Sequence, residues 1–369
     1  SKNATVALIP AAVLAHGPVT ICGVPNISDV HSLSVLLNEL GVAVKKQSDD
    51  IIIIDPTEME NRPMVSESVS KLRASYYFMG ALLGKYGKVE MKMPGGCYLG
   101  PRPIDLHLKG FEALGASVTY EKGCYIIEAK ELVGNKIFLD ISSVGATINI
   151  MMAAVYARGR TTIENAAKEP EIIDIATMLN KMGAHIRGMG TSVITIDGVD
   201  RLMGCYHEII PDRIEAATYV VLAAAAADEM VIENIIPQHL DALLMKLDEI
   251  GIEMEVEVDR VRVHGMRGSL KGTAIKTKPY PGFATDIQQP LTTLLTQAQG
   301  QSIITETIYP ERFKHCAELN KMGANIDVMV PSCFVNGPSR LSGTEVTATD
   351  LRCGAALVVA GLIADGITE

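Results

Sequence analysis

A glycine turn recurs five times along the chain, and this repetition is the feature that most constrains the fold. In each copy Leu, Met or Ile precedes the Gly, and an apolar residue stands three positions after it. The copies are centred on Gly41, Gly115, Gly183, Gly251 and Gly323, which lie 74, 68, 68 and 72 residues apart. A Gly in this pattern is typical of the end of a helix. The near-equal spacings indicate a repeated structural unit that is larger than a solenoid repeat.

The same order of elements is predicted in every repeat. An Ala-rich helix is followed by a short strand, by a second helix that ends at the Gly, and by two further strands, which gives α-β-α-β-β. The first helices are predicted at residues 5–15, 74–85, 146–157, 214–227, 287–297 and 355–364. Because these helices are apolar on all sides, we expect them to be buried. With strands expected beneath the helices, the predicted fold class is α/β (α+β).

The repeats also predict the domain organisation. Three repeats per domain place a boundary before Pro211, with a first domain at 1–210 and a second at 211–369. Six first helices but five glycine turns are present, and the ~70-residue period would place a sixth turn at roughly residue 393. The first of these helices also lacks the strands that precede the others. We therefore expect a chain truncated at both ends, whose second domain lacks its N-terminal strands and the C-terminal part of the sixth repeat.

Composition and charge exclude several classes of function. A formal net charge of −10 argues against a broad nucleic-acid-binding surface, and a 5% aromatic content argues against base stacking. The seven cysteines are scattered without a Cys-x-x-Cys pair, which favours a reducing compartment and predicts no metal centre. The most apolar helical run, 216–227, is shorter than the ~20 residues that a membrane span needs. We therefore expect a cytoplasmic protein that has neither a membrane nor a nucleic acid as partner.

One loop departs from the repeated pattern. Residues 93–103, here called the Gly-Gly-Cys loop, contain three Gly and three Pro, which excludes a helix or a central strand. The loop holds Cys97 and Arg102, and Pro103 suits the first position of the helix that follows. A helix N-terminus beside an Arg favours anions and the thiolate form of a nearby Cys. The other repeats lack such a loop, so Cys97 is the candidate reactive group.

Several segments together resemble the UDP-N-acetylglucosamine enolpyruvyl transferases. Besides the repeats and the Gly-Gly-Cys loop, the likeness rests on residues 2–3, 73–75, 143–147, 211–215, 285–286 and 348–352. The resemblance implies two inside-out α/β barrel domains of three repeats each, with the active site in the cleft between them. It also implies transfer of enolpyruvate from phosphoenolpyruvate to the 3-hydroxyl of UDP-N-acetylglucosamine, with release of phosphate. This step of bacterial peptidoglycan synthesis is expected to need no metal, organic cofactor or obligate protein partner.

The resemblance also implies roles for individual residues. Cys97 would be the proton donor, able to form a covalent adduct with phosphoenolpyruvate, and Asp286 would accept the proton of the sugar hydroxyl. The implied phosphoenolpyruvate contacts are Lys2, Asn3, Arg102 and Arg352, and Arg312 is a further arginine of the cleft. The implied contacts of UDP-N-acetylglucosamine are Arg73, Arg102, Pro103, Ile104, Asp105, Leu106, Ser143, Val144, Gly145 and Ile308.

Other interpretations remain open from the residues alone. Asp286 also fits the N-cap of the helix that follows it, and Arg312 also fits a surface cation. His107 and His315 fit packing or surface residues better than catalysts. For the whole chain, one alternative is the shikimate-pathway enolpyruvyl transferase, which shares the repeats but uses no loop cysteine, and another is an inactive fragment of the family. A hydrolase with Cys97 as nucleophile would need a papain-like or caspase-like context, which the sequence lacks.

Overall fold

The computed structural model describes residues 1–95 and 103–369, and the chain separates into two units, Ser1–Ile210 and Pro211–Glu369. The helices of the first unit are α1 (Lys2–Ala11), α2 (Ser28–Glu39), α3 (Glu67–Lys71), α4 (Tyr77–Tyr86), α5 (Asp105–Ala113), α6 (Val144–Ala154) and α7 (Pro170–Lys181). Its strands are β1 (Val19–Cys22), β2 (Ala43–Lys46), β3 (Ile51–Asp55), β4 (Lys88–Lys92), β5 (Ser117–Glu121), β6 (Cys124–Glu128), β7 (Lys136–Phe138), β8 (Arg160–Glu164), β9 (His185–Arg187), β10 (Val193–Asp197) and β11 (Tyr206–Glu208).

The second unit continues the same alternation of helices and strands. Its helices are α8 (Arg213–Ala226), α9 (Asp241–Ile250), α10 (Thr285–Leu295), α11 (Lys314–Lys321) and α12 (Leu351–Ile363). Its strands are β12 (Glu229–Glu233), β13 (Met254–Val256), β14 (Arg260–His264), β15 (Leu270–Lys271), β16 (Ala274–Lys276), β17 (Ala298–Thr305), β18 (Asn325–Met329) and β19 (Ser332–Gly337). None of the helices within residues 1–95 and 103–369 combines the length and the apolar character needed to cross a membrane.

The repeat predicted from the glycine turns is confirmed. All five repeat glycines adopt a positive φ, between 78° and 113°, just after the second helix of their repeat. Gly enters this left-handed region without the steric cost that a Cβ brings. In every one of these repeats the last strand lies in the middle of its three. The strand orders are β1-β3-β2, β4-β6-β5, β8-β10-β9, β12-β14-β13 and β17-β19-β18.

The layering within the first unit is the reverse of the one expected from the sequence pattern. Residues 77–84 of α4 and 145–154 of α6 are all buried, whereas β3 and β10 alternate between buried and partly exposed residues. A helix that is apolar on all sides lies in the interior, and a sheet with one apolar face covers it. The first helices therefore form the inner layer and the sheets the outer one. This is the inside-out arrangement that the family resemblance implied.

Glycines bring two of the inner helices into direct backbone contact. Gly80 and Gly84 lie one turn apart on α4, and both face α6. A Cβ at Gly80 would lie 2.3 Å from the carbonyl oxygen of Asn149, and one at Gly84 would lie 2.6 Å from that of Met152. Small residues four positions apart are the usual means of such close helix packing. Helix α5 also packs on α6, so the starts of α5 and α6 are held against a closely packed interior.

Candidate active site

The Gly-Gly-Cys loop is described only at its two ends. Cys97 and Arg102, the predicted proton donor and anion contact, lie outside the described residues. Helix α5 begins at Asp105 instead of Pro103, because Ile104 turns its side chain into the core and leaves the helical region at φ −110° and ψ 19°. Pro103 and Asp105 are exposed, whereas Leu106 is half-buried against the core. The segment 103–106 is thus anchored by Ile104 and presents Pro103 and Asp105 to solvent.

A cluster of rings joins three of the segments predicted to contact the nucleotide sugar. The Arg73 guanidinium lies over the Tyr76 ring, 5.6 Å from its centroid, and the Tyr76 and His107 rings meet edge to face at 4.9 Å. A Cβ on Gly145 would lie 2.6 Å from the Tyr76 hydroxyl and 2.9 Å from Cε1 of His107. Gly145 is therefore required by the packing of these rings. The cluster brings Arg73, the start of α5 and the start of α6 together.

His107 is a buried, neutral residue that fixes this cluster. Gly80 N–H donates to Asn149 Oδ1 at 2.9 Å, so the Asn149 amide nitrogen is free to donate to the Tyr76 carbonyl at 3.0 Å and to His107 Nδ1 at 2.9 Å. His107 Nδ1 is therefore an acceptor. Burial, together with the smaller effect of the positive charge of Arg73, lowers the pKa of His107 to about 3. The expectation of a packing histidine agrees with this environment.

The segment 143–145 forms the N-terminus of α6. The Ser143 side chain accepts a hydrogen bond from the Ala146 N–H at 3.2 Å and so caps the helix. The first N–H groups of a helix have no partner within it, and they attract anions. Capping by Ser143 satisfies one of these groups, the N–H of Ala146. This capping role is compatible with the predicted contact of residues 143–145 with the nucleotide sugar, which stays a prediction.

Lys2 and Asn3 occupy the first turn of α1. Lys2 Nζ lies 3.5 Å from Asp29 Oδ2 at the start of α2, and both side chains are about one-third exposed or less. Ser1 caps the helix, since its hydroxyl accepts from the Ala4 N–H at 3.2 Å. Helix α1 also contacts the turn of residues 73–76 that carries Arg73. The first unit therefore holds Lys2 and Asn3 on the helix that borders the ring cluster.

In the second unit, Asp286 lies between two arginines. Its Oδ1 accepts a hydrogen bond from Arg312 Nη1 at 2.7 Å, and its Oδ2 lies 3.6 Å from Arg352 Nη2. Asp286 is the second residue of α10, whose N-cap position is held by Ala284. The N-cap interpretation of Asp286 is therefore wrong. Arg312 has a side-chain exposure of 5%, so the surface-cation interpretation is wrong as well.

The charges around Asp286 decide its protonation. Burial by itself raises the pKa of this carboxyl, but the positive charges of Arg352 and Arg312, the hydrogen bond from Arg312 and the charge of Arg213 outweigh burial. The net effect holds the pKa of Asp286 below its usual value of 3.8. Asp286 is therefore a carboxylate at neutral pH. It can accept hydrogen bonds and, in the presence of a suitable donor, a proton.

Glu306 is a residue of this cluster that the sequence analysis missed. It follows β17, has a relative exposure of 1%, and accepts hydrogen bonds from the hydroxyls of Thr285 and Thr277 at 2.8 and 2.9 Å. Burial raises its pKa, and these hydrogen bonds offset part of that rise. An acidic residue shortly after the apolar pair at 303–304 was the available signal. Ile308, predicted to contact the nucleotide sugar, is half-buried two residues further along.

His315 is the other histidine for which the sequence predicted a packing or surface position. It has a relative exposure of 0%, and burial lowers its pKa to about 3. His315 therefore belongs to the core, as expected for a packing residue.

Within residues 1–95 and 103–369, no group of three or more His, Cys, Asp or Glu side chains is arranged to hold a metal ion.

The fold itself identifies a class of protein. The family model of EPSP synthase (3-phosphoshikimate 1-carboxyvinyltransferase) matches residues 1–369. Among solved structures, the chain is similar to the enolpyruvyl transferase NikO from Streptomyces tendae, with a TM-score of 0.89 and 23% identity over 98% of this chain and 86% of that one. It is also similar to EPSP synthase from Acinetobacter baumannii, with a TM-score of 0.76 and 19% identity over 99% and 88% of the two chains. The fold is that of the enolpyruvyl transferases.

Sequence comparison narrows this class to one family. UDP-N-acetylglucosamine 1-carboxyvinyltransferase 2 of Bacillus cereus (strain ZK / E33L) is 58% identical over 369 residues, which is 100% of this chain and 86% of the relative. The protein of the same name from Listeria monocytogenes serovar 1/2a (strain ATCC BAA-679 / EGD-e) is also 58% identical, over 100% of this chain and 87% of the relative. The chain therefore belongs to the UDP-N-acetylglucosamine 1-carboxyvinyltransferase family, and it is a transferase.

Proposed function

We propose that the protein transfers enolpyruvate from phosphoenolpyruvate to the 3-hydroxyl of UDP-N-acetylglucosamine and releases phosphate. The observation that carries this proposal is the Asp286 carboxylate held by Arg312 and Arg352, in a chain of this family. Addition of a hydroxyl to the enol needs a base for the hydroxyl proton, and it needs cations for the phosphate and carboxylate of phosphoenolpyruvate. Asp286 and the two arginines are groups of these two kinds.

Asp286 is the proposed base. It accepts the proton of the sugar hydroxyl as that oxygen attacks C2 of phosphoenolpyruvate, and C3 receives a proton in the same addition. The arginines that lower the pKa of Asp286 make it a weak base in the free protein. An anionic phosphate or carboxylate bound to Arg312 or Arg352 offsets their positive charge, and this raises the basicity of Asp286. Binding of phosphoenolpyruvate thus prepares the base for the reaction.

Cys97 is the proposed donor of the proton to C3. A thiol suits this step because it is a modest acid and also a strong nucleophile, which accounts for a covalent adduct with phosphoenolpyruvate. In the elimination that follows, C3 loses a proton, the C–O bond to phosphate breaks, and the double bond returns. Lys2, Asn3 and Arg102 are proposed to hold phosphoenolpyruvate together with the arginines of the second unit.

The first unit supplies most of the proposed contacts of UDP-N-acetylglucosamine. The amides at the start of α6 suit the diphosphate, because helix N-termini attract anions. Arg73, held over Tyr76, offers a cation on the same ring cluster. Pro103 and Asp105 are exposed at the start of α5, where Ile104 and Leu106 complete the segment. Ser143, Val144, Gly145 and Ile308 complete the proposed set.

We also propose a cellular role from this reaction. The product is a precursor of peptidoglycan, so loss of the protein should affect the synthesis of the bacterial cell wall, cell shape and cell division. Cys22, Cys124 and Cys205 are partly exposed free thiols, which supports a reducing compartment such as the cytoplasm.

A phosphate-release assay tests the function. We expect release that depends on both phosphoenolpyruvate and UDP-N-acetylglucosamine, and that stops after treatment with fosfomycin, an epoxide expected to alkylate Cys97. Shikimate 3-phosphate as acceptor provides the matched comparison. Release with shikimate 3-phosphate alone would favour the shikimate-pathway alternative, and no release with either acceptor would favour an inactive chain.

A further inference from the structure

The Glu306 carboxylate is buried and is approached by three donors. Its Oε1 accepts from the Thr285 hydroxyl at 2.8 Å, and its Oε2 accepts from the Thr277 hydroxyl at 2.9 Å. The Tyr309 N–H points to the same Oε2 at 3.4 Å. A buried carboxylate is stable in a protein when its oxygens are hydrogen-bonded in this way. None of the roles assigned above uses Glu306, although it contacts the first residue of the helix that carries Asp286.

The hydrogen bonds around Glu306 have one consistent direction. Thr277 Oγ1 accepts from the Thr307 N–H at 2.9 Å, so its own proton is free to go to Glu306. Thr285 Oγ1 accepts from Arg312 Nη1 at 3.0 Å, so its proton is likewise free to go to Glu306. A hydroxyl has one proton to donate, and an ionised carboxylate only accepts. The direction therefore runs from Arg312 through Thr285 to Glu306.

This chain of hydrogen bonds ends on the guanidinium that binds Asp286. Arg312 Nη1 donates both to Thr285 Oγ1 at 3.0 Å and to Asp286 Oδ1 at 2.7 Å. The same guanidinium lies over the Tyr309 ring, 5.4 Å from its centroid, and the backbone of Arg312 accepts from the Gln288 amide at 2.8 Å. The hydroxyl of Thr285 thus connects Glu306 to Arg312 and lets Glu306 influence the orientation of the Arg312 guanidinium.

We propose that Glu306 is a positioning residue that, through Thr285, orients Arg312 against Asp286 and so presets the base and the anion-binding cation. This inference rests on the function proposed above. The negative charge of Glu306 also balances the positive charge of one arginine in this buried cluster, which a neutral residue could not do. Replacement by Gln preserves the shape of Glu306 but adds a donor and removes the charge, so at least one threonine can no longer donate to it.

Kinetics with matched variants test the proposal. We expect Glu306→Gln and Thr285→Val to lower kcat by about 10-fold or more and to raise the KM for phosphoenolpyruvate, with the KM for UDP-N-acetylglucosamine within about twofold of wild type. Thr285→Ser keeps the hydroxyl and should restore the constants to within about twofold. Thr305→Val is the control, because it removes a hydroxyl next to Glu306 that instead bonds Ser332 at 2.9 Å. Melting temperatures of all variants separate a loss of folding from a loss of positioning.

A spectroscopic measurement keeps this test independent of turnover. In protein labelled with 15N-arginine, the Arg312 guanidinium, assigned with Arg312→Lys, should show hindered rotation in wild type and Thr285→Ser. In Glu306→Gln and Thr285→Val this rotation should become fast. Wild-type constants together with an unchanged Arg312 signal in both variants would overturn the inference. A wild-type protein that releases no phosphate would overturn the proposed function instead, and the Arg312 signal would still decide the role of Glu306.

Discussion

Asp286 and Arg312 form a hydrogen-bonded ion pair at 2.7 Å in which the arginine side chain is 5% exposed and the aspartate side chain 28% exposed. The arginine is thus enclosed, while the carboxylate keeps one side open. This asymmetry suits a carboxylate that must meet a substrate hydroxyl while its cationic partner stays fixed.

Replacement of Asp286 should therefore affect turnover far more than binding. We expect Asp286→Ala to lower kcat by about 100-fold or more, because a general base contributes at least this much. Calorimetric titration should give a dissociation constant for UDP-N-acetylglucosamine within about threefold of wild type. The free energy of unfolding should fall by about 3 kcal/mol, since Arg312 is left buried without its partner. Asp286→Asn retains a hydrogen-bond acceptor for Arg312, and it is therefore the control for the loss of stability. Strongly weakened binding with preserved turnover would contradict the proposed role.

Replacement of the loop cysteine should have a specific effect. We expect Cys97→Ser to lower phosphate release by about 100-fold and to prevent the adduct with fosfomycin, because a hydroxyl is a much weaker acid and nucleophile than a thiol. Cys124→Ser is a matched control, as Cys124 is a partly exposed thiol on β6. Peptide mass spectrometry after treatment locates the adduct. Unchanged turnover of Cys97→Ser, or an adduct on Cys124 alone, would refute the assignment.

The buried histidine of the ring cluster should make stability sensitive to acid. The pKa of His107 falls from 6.5 to about 3 on folding, so below pH 6.5 the unfolded chain binds a proton that the folded chain does not. The free energy of unfolding should therefore decrease as the pH falls from 6.5 towards 3. At pH 5 this contribution amounts to about 2 kcal/mol.

Urea denaturation of wild type and His107→Gln between pH 7.5 and pH 5 measures this effect. The variant should lose about 2 kcal/mol less on acidification than wild type, whatever its stability at pH 7.5. His315, whose pKa is also about 3, keeps its own contribution in both proteins. Equal pH slopes for the two proteins would show that His107 is not held neutral.

Two glycines should respond to substitution for different reasons. Gly251 has a φ of 106°, and a Cβ there would meet nothing closer than the Ser269 carbonyl oxygen at 4.0 Å. Gly251→Ala should therefore cost only the backbone strain of about 1–2 kcal/mol, and Gly251→Asn less, since Asn tolerates the left-handed region.

Gly80 lies within α4, where Ala normally stabilises a helix by about 1 kcal/mol. Its Cβ would lie 2.3 Å from the Asn149 carbonyl oxygen, so we expect Gly80→Ala to destabilise the protein by more than Gly251→Ala does. Urea midpoints of the three variants give this order. A Gly80→Ala protein as stable as wild type would show that α4 and α6 can separate at little cost.

The sequence was informative wherever the pattern is local. The glycine turns and the order of the elements follow from periodicity and from the left-handed conformation of Gly, and the structure confirms them. Burial on all sides, predicted for every first helix, holds for α4 and α6 but is wrong for α12, where Val358 and Leu362 are 61% and 56% exposed. The strand pattern alone suggested strands beneath the helices, and this was wrong, because the alternation of a strand indicates one buried face but not whether a helix lies inside or outside it. The family resemblance implied the layering that the structure has. The start of α5 was misplaced by two residues because the burial of Ile104, a tertiary effect, outweighs the preference of Pro103.

The candidate site was predictable only in part, because its contacts join residues that are far apart in the sequence. A sequence cannot distinguish an N-cap aspartate from one paired with arginines 26 and 66 positions away, and Asp286 proved to be the latter. Glu306 was missed because its partners, Thr277 and Thr285, come from two earlier segments. The roles of Cys97, Asp286 and the proposed ligand contacts stay predictions that the experiments above address.

The contact of Gly80 and Gly84 with α6 has a consequence for how this chain can vary. Because the backbone of α6 fills the space beside Gly80 and Gly84, no room is left for a larger residue at either position, and a smaller side chain on α6 could not create it. The strands β3 and β10 of the outer layer, by contrast, leave alternate residues partly exposed, and replacement of these residues disturbs little. Natural drift and directed evolution of this protein should therefore accumulate changes on its sheets and loops, while the helical interior remains nearly invariant.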